Sequence, residues 1–389
     1  MDGALGFCLW RRWPHDLAAR LNYPLLAINC YRKDTGALAY PPSLLIERGG
    51  LRVGIIGIAA TIIDKTMPKH FSEGLRFTLG SEELPGEVRA VRARGAELVV
   101  VLSHLGLPQD IKLASEVSGI DVLVSGHSHN RLFEPLQVNG AVIMQSGCHG
   151  SFIGRMDLDV HEGRVSAVRH RLISIDETIK PDPEMLQVVE KIMAPHRHML
   201  SAVVGRTETA LHRNTILEAP MDNLLLAAIA EASGAKIAFS NGWRYGAPIP
   251  PGPVTRNDLW NIVPTNSPVS LTELTGSEIA EMLEENLEHT FAVDPYQQMG
   301  GYVKRCFGLK LFVKLENPKG ARIQQLFAEG APLDRERTYT AAFVTMQGVP
   351  EKYGRNRRNL EIHAIAALES YFAKHPSVSI GISGSVVAI

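Results

Sequence analysis

The stretches LVVVLSHLG (98–106) and VLVSGHSHN (122–130) decide the fold. Each is a run of aliphatic, largely β-branched residues followed directly by histidine: His104 after the first run, and His127 and His129 after the second. Such runs are typical of parallel strands that are buried on both faces. In α/β folds, functional side chains lie where those strands end. The sequence therefore predicts that three imidazoles converge at one edge of a parallel sheet.

Convergent imidazoles indicate a metal site, because imidazole is a preferred ligand of divalent transition metals. Two simpler interpretations compete with this one. A single histidine after a strand is usually a hydrogen-bonded loop residue, and the alternate histidines of H-S-H can point apart. The coincidence at two strand ends, with Gly126 allowing a sharp turn just before His127, favours metal ligation.

The composition is that of a globular protein with two or three domains. The chain has 389 residues, of which 45% are hydrophobic and 21% are charged. A formal net charge of −1 gives no electrostatic reason to expect nucleic acid or a membrane as a partner. The four cysteines are scattered without a C-x-x-C pair, so no zinc knuckle or disulfide framework is expected. The first residues lack the order of a signal peptide, so we expect a cytoplasmic product as encoded.

The first 175 residues alternate predicted strands with predicted helices. Such alternation, finishing in a hairpin, predicts a layered α/β domain. The predicted elements are strands at 51–59, 98–103, 122–126 and 142–147, helices at 82–96 and 109–119, and a hairpin at 154–175.

A second unit follows a proline-started helix at 181–200, which is the predicted linker. It mixes helices with strands of period-two character, so the whole chain is predicted to be α/β, or α+β overall. The predicted elements are helices at 221–234 and 275–289 and strands at 235–240, 308–317 and 338–345.

The chain resembles the 5′-nucleotidase family of metallophosphoesterases over nearly its whole length. The matching segments include G-I-D-V-L-V-S-G-H-S-H (119–129), S-N-G-W-R (240–244) and V-T-R-N-D-L (254–259). The stretch D-P-Y-Q-Q-M-G-G (294–301) is similar to the branch that contains the sulfur-oxidation thiosulfohydrolase. This resemblance implies three parts: a calcineurin-like metallophosphoesterase domain at 1–175, incomplete at its N-terminus, a linker helix at 176–202, and a C-terminal substrate-binding domain at 203–389.

The resemblance also implies a centre of two divalent cations, Mn²⁺ or Zn²⁺. His104 and His127 correspond to ligands of one ion and His129 to a ligand of the other. The family's opening D-x-H strand, G-D loop and G-N-H-E segment, which supply most other ligands and the catalytic histidine, have no counterpart here. We therefore expect weak or single-ion occupancy. We also expect a strand such as 54–59 or 98–103 to become a sheet edge.

For the second domain, the resemblance implies a substrate site that includes Asn241 and Arg244, with Phe343 as one stacking ring. Arginine can grip an oxyanion through two hydrogen bonds. Arg305, in a basic pair after the M-G-G turn, is a further candidate for anion contact. A core position for Phe343 and a solvated basic pair at Arg305 are the alternatives.

Three functions stay open on the sequence. The leading one is a metal-dependent phosphoester hydrolase that acts on nucleotides or similar phosphorylated small molecules, with impaired catalysis. The second is thiosulfohydrolase-like chemistry on a sulfur substrate. The third is a non-catalytic binding protein or a decayed remnant. An intact family member would be expected in the periplasm.

Overall fold

The computed structural model describes residues 20–67, 69–242, 246–300 and 302–389. The chain divides into two units. Unit 1 comprises the residues up to Ile179 together with Asp294–Gly300, and unit 2 comprises Lys180–Val293 and Gly301–Ile389. A short segment of the second half of the sequence thus belongs to unit 1, which the predicted boundaries did not include.

Unit 1 is organised around a six-stranded sheet with the order β2-β3-β5-β6-β8-β7. The strands from β3 to β8 in this order are parallel, and the edge strands β2 and β7 are antiparallel to their neighbours. The residues described for this unit also form two antiparallel pairs, β1-β4 and β9-β10. The strands of unit 1 are β1 (Cys30–Arg32), β2 (Ser43–Arg48), β3 (Leu51–Ile58), β4 (Leu75–Phe77), β5 (Leu98–Ser103), β6 (Val122–Ser125), β7 (Leu136–Val138), β8 (Ala141–Met144), β9 (Phe152–His161) and β10 (Arg164–Ser174).

Helices cover one face of this sheet. Leu84, Val88 and Val91 recur at helical spacing and bury one side of the second helix. They join a core that includes Val99 and Leu123 from the central strands. The helices in the described part of unit 1 are α1 (Ile63–Thr66), α2 (Leu84–Ala93) and α3 (Leu107–Glu116), with 3₁₀ turns at Lys69–Phe71 and Pro295–Gln297.

The expectation that 54–59 or 98–103 becomes a sheet edge is wrong. Strand β3 is hydrogen-bonded on one side to β2 and on the other to β5, and β5 lies between β3 and β6. Strand β2, S-L-L-I-E-R, is only partly buried and ends in Glu47 and Arg48, which suits an edge position. The two apolar strands therefore remain internal.

The described residues of unit 2 form three sheets. Their strand orders are β13-β11-β21, β15-β12-β19-β14-β20 and β18-β17-β16-β22. The strands are β11 (Val203–Thr207), β12 (Ile237–Ser240), β13 (Gly252–Thr255), β14 (Pro268–Thr275), β15 (Arg305–Phe307), β16 (Leu309–Val313), β17 (Ile323–Ala328), β18 (Ala331–Pro332), β19 (Thr338–Phe343), β20 (Arg355–His363), β21 (Ser377–Val378) and β22 (Val386–Ala388).

The helices of unit 2 begin at recognisable caps. Asp182 accepts a hydrogen bond from the backbone N–H of Met185, and Thr255 and Thr275 each form a capping box with the acidic residue three positions later. Pro195 lies inside the first helix of the unit without ending it. The helices are α4 (Pro183–Leu200), α5 (Pro220–Ser233), α6 (Arg256–Ile262), α7 (Gly276–Phe291) and α8 (Ala364–Lys374).

The predicted fold class is confirmed: the chain is α/β, with a mostly parallel sheet in unit 1 and mixed sheets and helices in unit 2. In the residues described, no helix combines the length and the apolar character that a membrane span needs.

Candidate metal centre

His104 and His127 lie side by side at the ends of adjacent strands. Strands β5 and β6 are paired in parallel with Ser103 opposite Ser125, so both chains leave the sheet at the same level. The two imidazole centroids are 5.2 Å apart, with the rings inclined at 62°. Two imidazoles that share one tetrahedral ion have centroids about 5 Å apart. The pair therefore fits a shared divalent cation.

His129 faces a different partner, His149. Their ring centroids are 5.7 Å apart. With Cys148 they form a group of three side chains whose ligand atoms all lie within 4.8 Å of one another. Sequence reasoning missed Cys148 and His149. A signal was available, because Q-S-G-C-H-G directly follows β8, the next parallel strand, in the same way that G-H-S-H follows β6.

The backbone in these loops is constrained. A Cβ atom at Gly126 would lie 3.1 Å from Nδ1 of His104, so glycine lets the loop after β6 pass close to that ring. His127, His129 and His149 have φ values of 68°, 59° and 60°, in the left-handed region. Each such non-glycine residue costs of the order of 1 kcal/mol, and such residues cluster at functional sites.

A buried hydrogen-bond network supports the loops from below. Asp110, on α3, accepts hydrogen bonds of 2.6 Å from Ser103 Oγ and from Ser125 Oγ. Gln145 Nε2 donates to Ser125 Oγ at 2.9 Å and to the Gly126 carbonyl at 2.7 Å. The Gln145 side-chain oxygen also accepts from the backbone N–H of Asn130. The network thus connects the ends of three parallel strands and fixes the loop that carries His127 and His129.

Burial controls the titration of this network. It disfavours the carboxylate and raises the pKa of Asp110 to about 7, although the hydrogen bonds from Ser103 and Ser125 act in the opposite direction. Between about pH 4 and pH 7, the folded protein therefore holds a proton on this group that the unfolded chain does not. The contribution of Asp110 to stability is present in acid and is lost as the pH rises through about 7.

We expect Asp110→Asn to gain stability relative to the parent protein as the pH rises. The amide has no carboxylate to bury, so the difference in unfolding free energy should shift in favour of the variant by about 1–2 kcal/mol between about pH 5 and pH 7. Urea denaturation of both proteins at several pH values measures this difference, and effects of groups common to both cancel. A difference that stays constant with pH would contradict the assignment.

Cys148 has an unusual thiol. Partial burial favours the neutral form, but hydrogen bonds and charges from His129 and His149 outweigh it and lower the pKa of Cys148 to about 6. Cys30 and Cys306 are buried, and burial raises the pKa of each of these thiols to about 12. Among these three cysteines, only Cys148 combines a lowered pKa with nearby histidines.

The residues predicted to bind substrate in unit 2 have different surroundings in the structure. Asn241 Nδ2 donates to Gln347 Oε1 at 2.7 Å. Phe343 is 5% exposed and packs in the core of β19, with the Arg357 guanidinium 5.2 Å from its ring centroid. Arg244 lies outside the described residues.

Arg305 is enclosed rather than solvated, and its surroundings differ from the predicted anion contact. Its side chain is 1% exposed and pairs with Asp222, and its terminal nitrogens donate 2.6 Å hydrogen bonds to the carbonyls of Thr215 and Ile216. Neighbouring Lys304 is also buried and donates to the carbonyls of Gln347 and Gly348. Its burial lowers the pKa of Lys304 to about 8. Both cationic side chains are thus bound by acceptors within the protein.

Comparison with known proteins shows which family the chain is similar to. Residues 201–346 match the family model for the 5′-nucleotidase C-terminal domain. The trifunctional nucleotide phosphoesterase protein YfkN of Bacillus subtilis is 26% identical over 309 residues, which cover 76% of this chain and 21% of that protein. The chain therefore spans about a fifth of the length of that relative.

Two solved structures extend the likeness to both units. The sulfate thiohydrolase SoxB of Thermus thermophilus matches with a TM-score of 0.92 at 27% identity, covering 98% of this chain and 71% of that one. A 5′-nucleotidase precursor, also from Thermus thermophilus, matches with a TM-score of 0.83 at 21% identity, covering 96% and 80%, and shares the fold. The chain is thus similar to members of the 5′-nucleotidase family, and its residues 201–346 match that family's C-terminal domain.

Proposed function

We propose that the chain is a divalent-cation-dependent hydrolase that cleaves the phosphoester of a nucleotide or of a similar phosphorylated small molecule, with slow turnover. The observation that carries this proposal is the pair His104 and His127 at the ends of β5 and β6, with ring centroids 5.2 Å apart. The relatives named above are nucleotide phosphoesterases and related hydrolases, which supports the class of reaction.

In this proposal, different residues bind the cation and position the loop that carries the histidines. His104 and His127 would hold one cation, and His129, which the resemblance assigns to a second cation, lies beside His149 with a ring-centroid distance of 5.7 Å. A divalent cation supplies Lewis-acid polarisation of a phosphoryl oxygen and helps to generate a nucleophile near neutral pH. The network of Asp110 and Gln145 keeps the histidine loop in place, so little reorganisation is needed when the substrate binds.

We propose slow turnover from the ligands that these 389 residues supply. Within them there is no counterpart of the family segments that provide the bridging carboxylate and the catalytic histidine. Asp110 does not replace that carboxylate, because its two oxygens accept hydrogen bonds from Ser103 and Ser125 inside the fold. Two cations would repel each other without a shared anion. We therefore infer that one ion is held well and a second poorly.

A thiosulfohydrolase-like activity is the second candidate, and a specific observation favours it. The match to SoxB, with a TM-score of 0.92, extends over 98% of the chain. The segment Asp294–Gly300, whose sequence first suggested that branch, packs on α3 within unit 1. Lys112 Nζ contacts Asp294 Oδ1 at 2.7 Å, and the Tyr296 hydroxyl donates to Glu116 at 2.7 Å.

A substrate panel tests the proposal. The purified protein, supplied with Mn²⁺ or Zn²⁺, should release phosphate from a nucleoside monophosphate, and chelation should abolish the release. His127→Ala should lower the rate at least about tenfold, because losing a ligand weakens cation binding. His196→Ala, at an exposed position of α4, is the matched control and should retain the rate.

The other outcomes separate the candidates. Release of sulfate from a thiosulfate-bearing substrate, without release of phosphate, would replace the leading proposal by the second candidate. Absence of both activities at saturating metal would leave a non-catalytic binding protein. Phosphate release that is indifferent to His127→Ala would rule out the site itself.

A further inference from the structure

The group His129, Cys148 and His149 is not explained by the pair His104 and His127. Its ligand atoms come from two loops, the one after β6 and the one after β8, and lie within 4.8 Å of one another. Bound to one tetrahedral ion, such atoms would be about 3.3–3.7 Å apart. The ligand atoms would therefore have to approach one another by up to about 1.5 Å when an ion binds.

The chemistry of the three ligand atoms is selective. A thiolate with two imidazoles prefers Zn²⁺ and other thiophilic cations, whereas carboxylates favour Mn²⁺ and Mg²⁺. Three protein ligands with a fourth position left to solvent make a common set in catalytic zinc sites. His129 and Cys148 are partly buried and His149 is exposed, so an ion held here could exchange with solvent.

We propose that His129, Cys148 and His149 form a Cys-His₂ site for Zn²⁺, assembled by the loops after β6 and β8. The site shares the histidine loop with the proposed function but does not require hydrolytic activity. The chain would then bind a thiophilic cation through a cysteine that sequence reasoning had set aside as scattered.

The position of the two loops supports this proposal. Strands β6 and β8 are parallel neighbours, with Val122 opposite Val142, so both loops emerge at the same edge of the sheet. Gln145, at the end of β8, donates from its side chain to the Gly126 carbonyl at 2.7 Å and thereby fixes one loop against the other. The three ligands are therefore held together by the fold before any ion binds.

Cobalt substitution tests the site directly. The metal-free 389-residue protein, titrated with Co²⁺, should develop a thiolate-to-cobalt charge-transfer band in the near ultraviolet. Zinc X-ray absorption should show one Zn–S distance of about 2.3 Å. Cys148→Ser should lose both the cobalt band and the Zn–S signal. His149→Asn should weaken or lose the Zn–S signal, whereas His196→Asn should retain both signals.

A second measurement covers the case in which a variant does not fold. Zn²⁺ should protect Cys148 of the parent protein from alkylation, as read by peptide mass spectrometry. Stoichiometric zinc binding without a Zn–S distance, or equal alkylation with and without Zn²⁺, would overturn the proposal. His127→Ala should lose hydrolysis and keep the cobalt band, so failure of the proposed function and failure of this site give different results.

Discussion

Replacing Asp222 by asparagine is expected to lower the free energy of unfolding of unit 2 by about 3–5 kcal/mol. The Asp222 side chain is fully buried and pairs with two buried arginines, Arg213 Nε at 2.9 Å and Arg305 Nε at 3.2 Å. Asparagine keeps the shape of the side chain but removes the negative charge. Two guanidinium cations would then lie in the core without this counter-ion, which is the costly result of breaking a buried pair.

The control for this variant lies on the same helix. Glu231, near the end of α5, pairs with exposed Lys374 at 2.9 Å, and both side chains are partly solvated. Glu231→Gln should cost less than about 1 kcal/mol, because solvent screens such pairs. Hydrogen exchange of peptides from unit 2 in rising urea measures both variants. Equal, small effects would mean that the buried carboxylate is dispensable.

The same cluster explains why Arg305 could not be interpreted from its neighbours in the sequence. Locally, Lys304 and Arg305 are a basic pair after a glycine turn, a pattern that usually faces solvent. Their burial is set by distant contacts: the pairing of β15 with β12, and Asp222, which lies 83 positions earlier in the chain. No local pattern records such contacts, so only the folded chain distinguishes a structural guanidinium from a ligand-binding one.

Where local pattern and fold agree, the sequence was sufficient. The runs at 98–103 and 122–125 form the parallel strands β5 and β6, because continuous β-branched residues suit internal parallel strands, although Leu102 of β5 is 44% exposed. The structure brings His104 and His127 together, as expected for neighbouring strand ends. It also places His129 beside Cys148 and His149, since the loop after β8 reaches the same edge, and neither segment alone predicts the pairing of β6 with β8.

Strand β20 is an element that the local sequence pattern does not predict. Its sequence, R-N-R-R-N-L-E-I-H, has five ionisable or amide side chains before the first leucine and does not look like a strand. It lies at the edge of the five-stranded sheet and pairs only with β14, so few of its side chains need to be apolar. Polar edge strands resist pairing with other chains. Composition alone cannot identify them.

The second large effect is expected at Gly308, where Gly308→Ala should destabilise unit 2 by about 2–5 kcal/mol. This residue joins β15, in the five-stranded sheet, to β16, in the four-stranded sheet. Its φ of +74° is unfavourable for any residue with a Cβ atom. A Cβ atom here would also lie 2.0 Å from the carbonyl oxygen of Lys236, the residue just before β12. That oxygen is backbone, so the clash can be relieved only by moving a strand.

A matched glycine separates the two contributions. Gly330, in the turn between β17 and β18, has a φ of +83° and nothing within 4 Å of a Cβ atom. Gly330→Ala therefore carries the conformational cost alone, about 1–2 kcal/mol. The excess cost of Gly308→Ala over this control, measured by urea unfolding, reports the overlap with Lys236. If the two variants were equally stable, the close approach of the chain to β12 at this corner would be wrong. If the free energy of unfolding of Gly308→Ala is lower than that of Gly330→Ala by more than about 1 kcal/mol, the passage of the chain between the two sheets depends on a residue without a side chain.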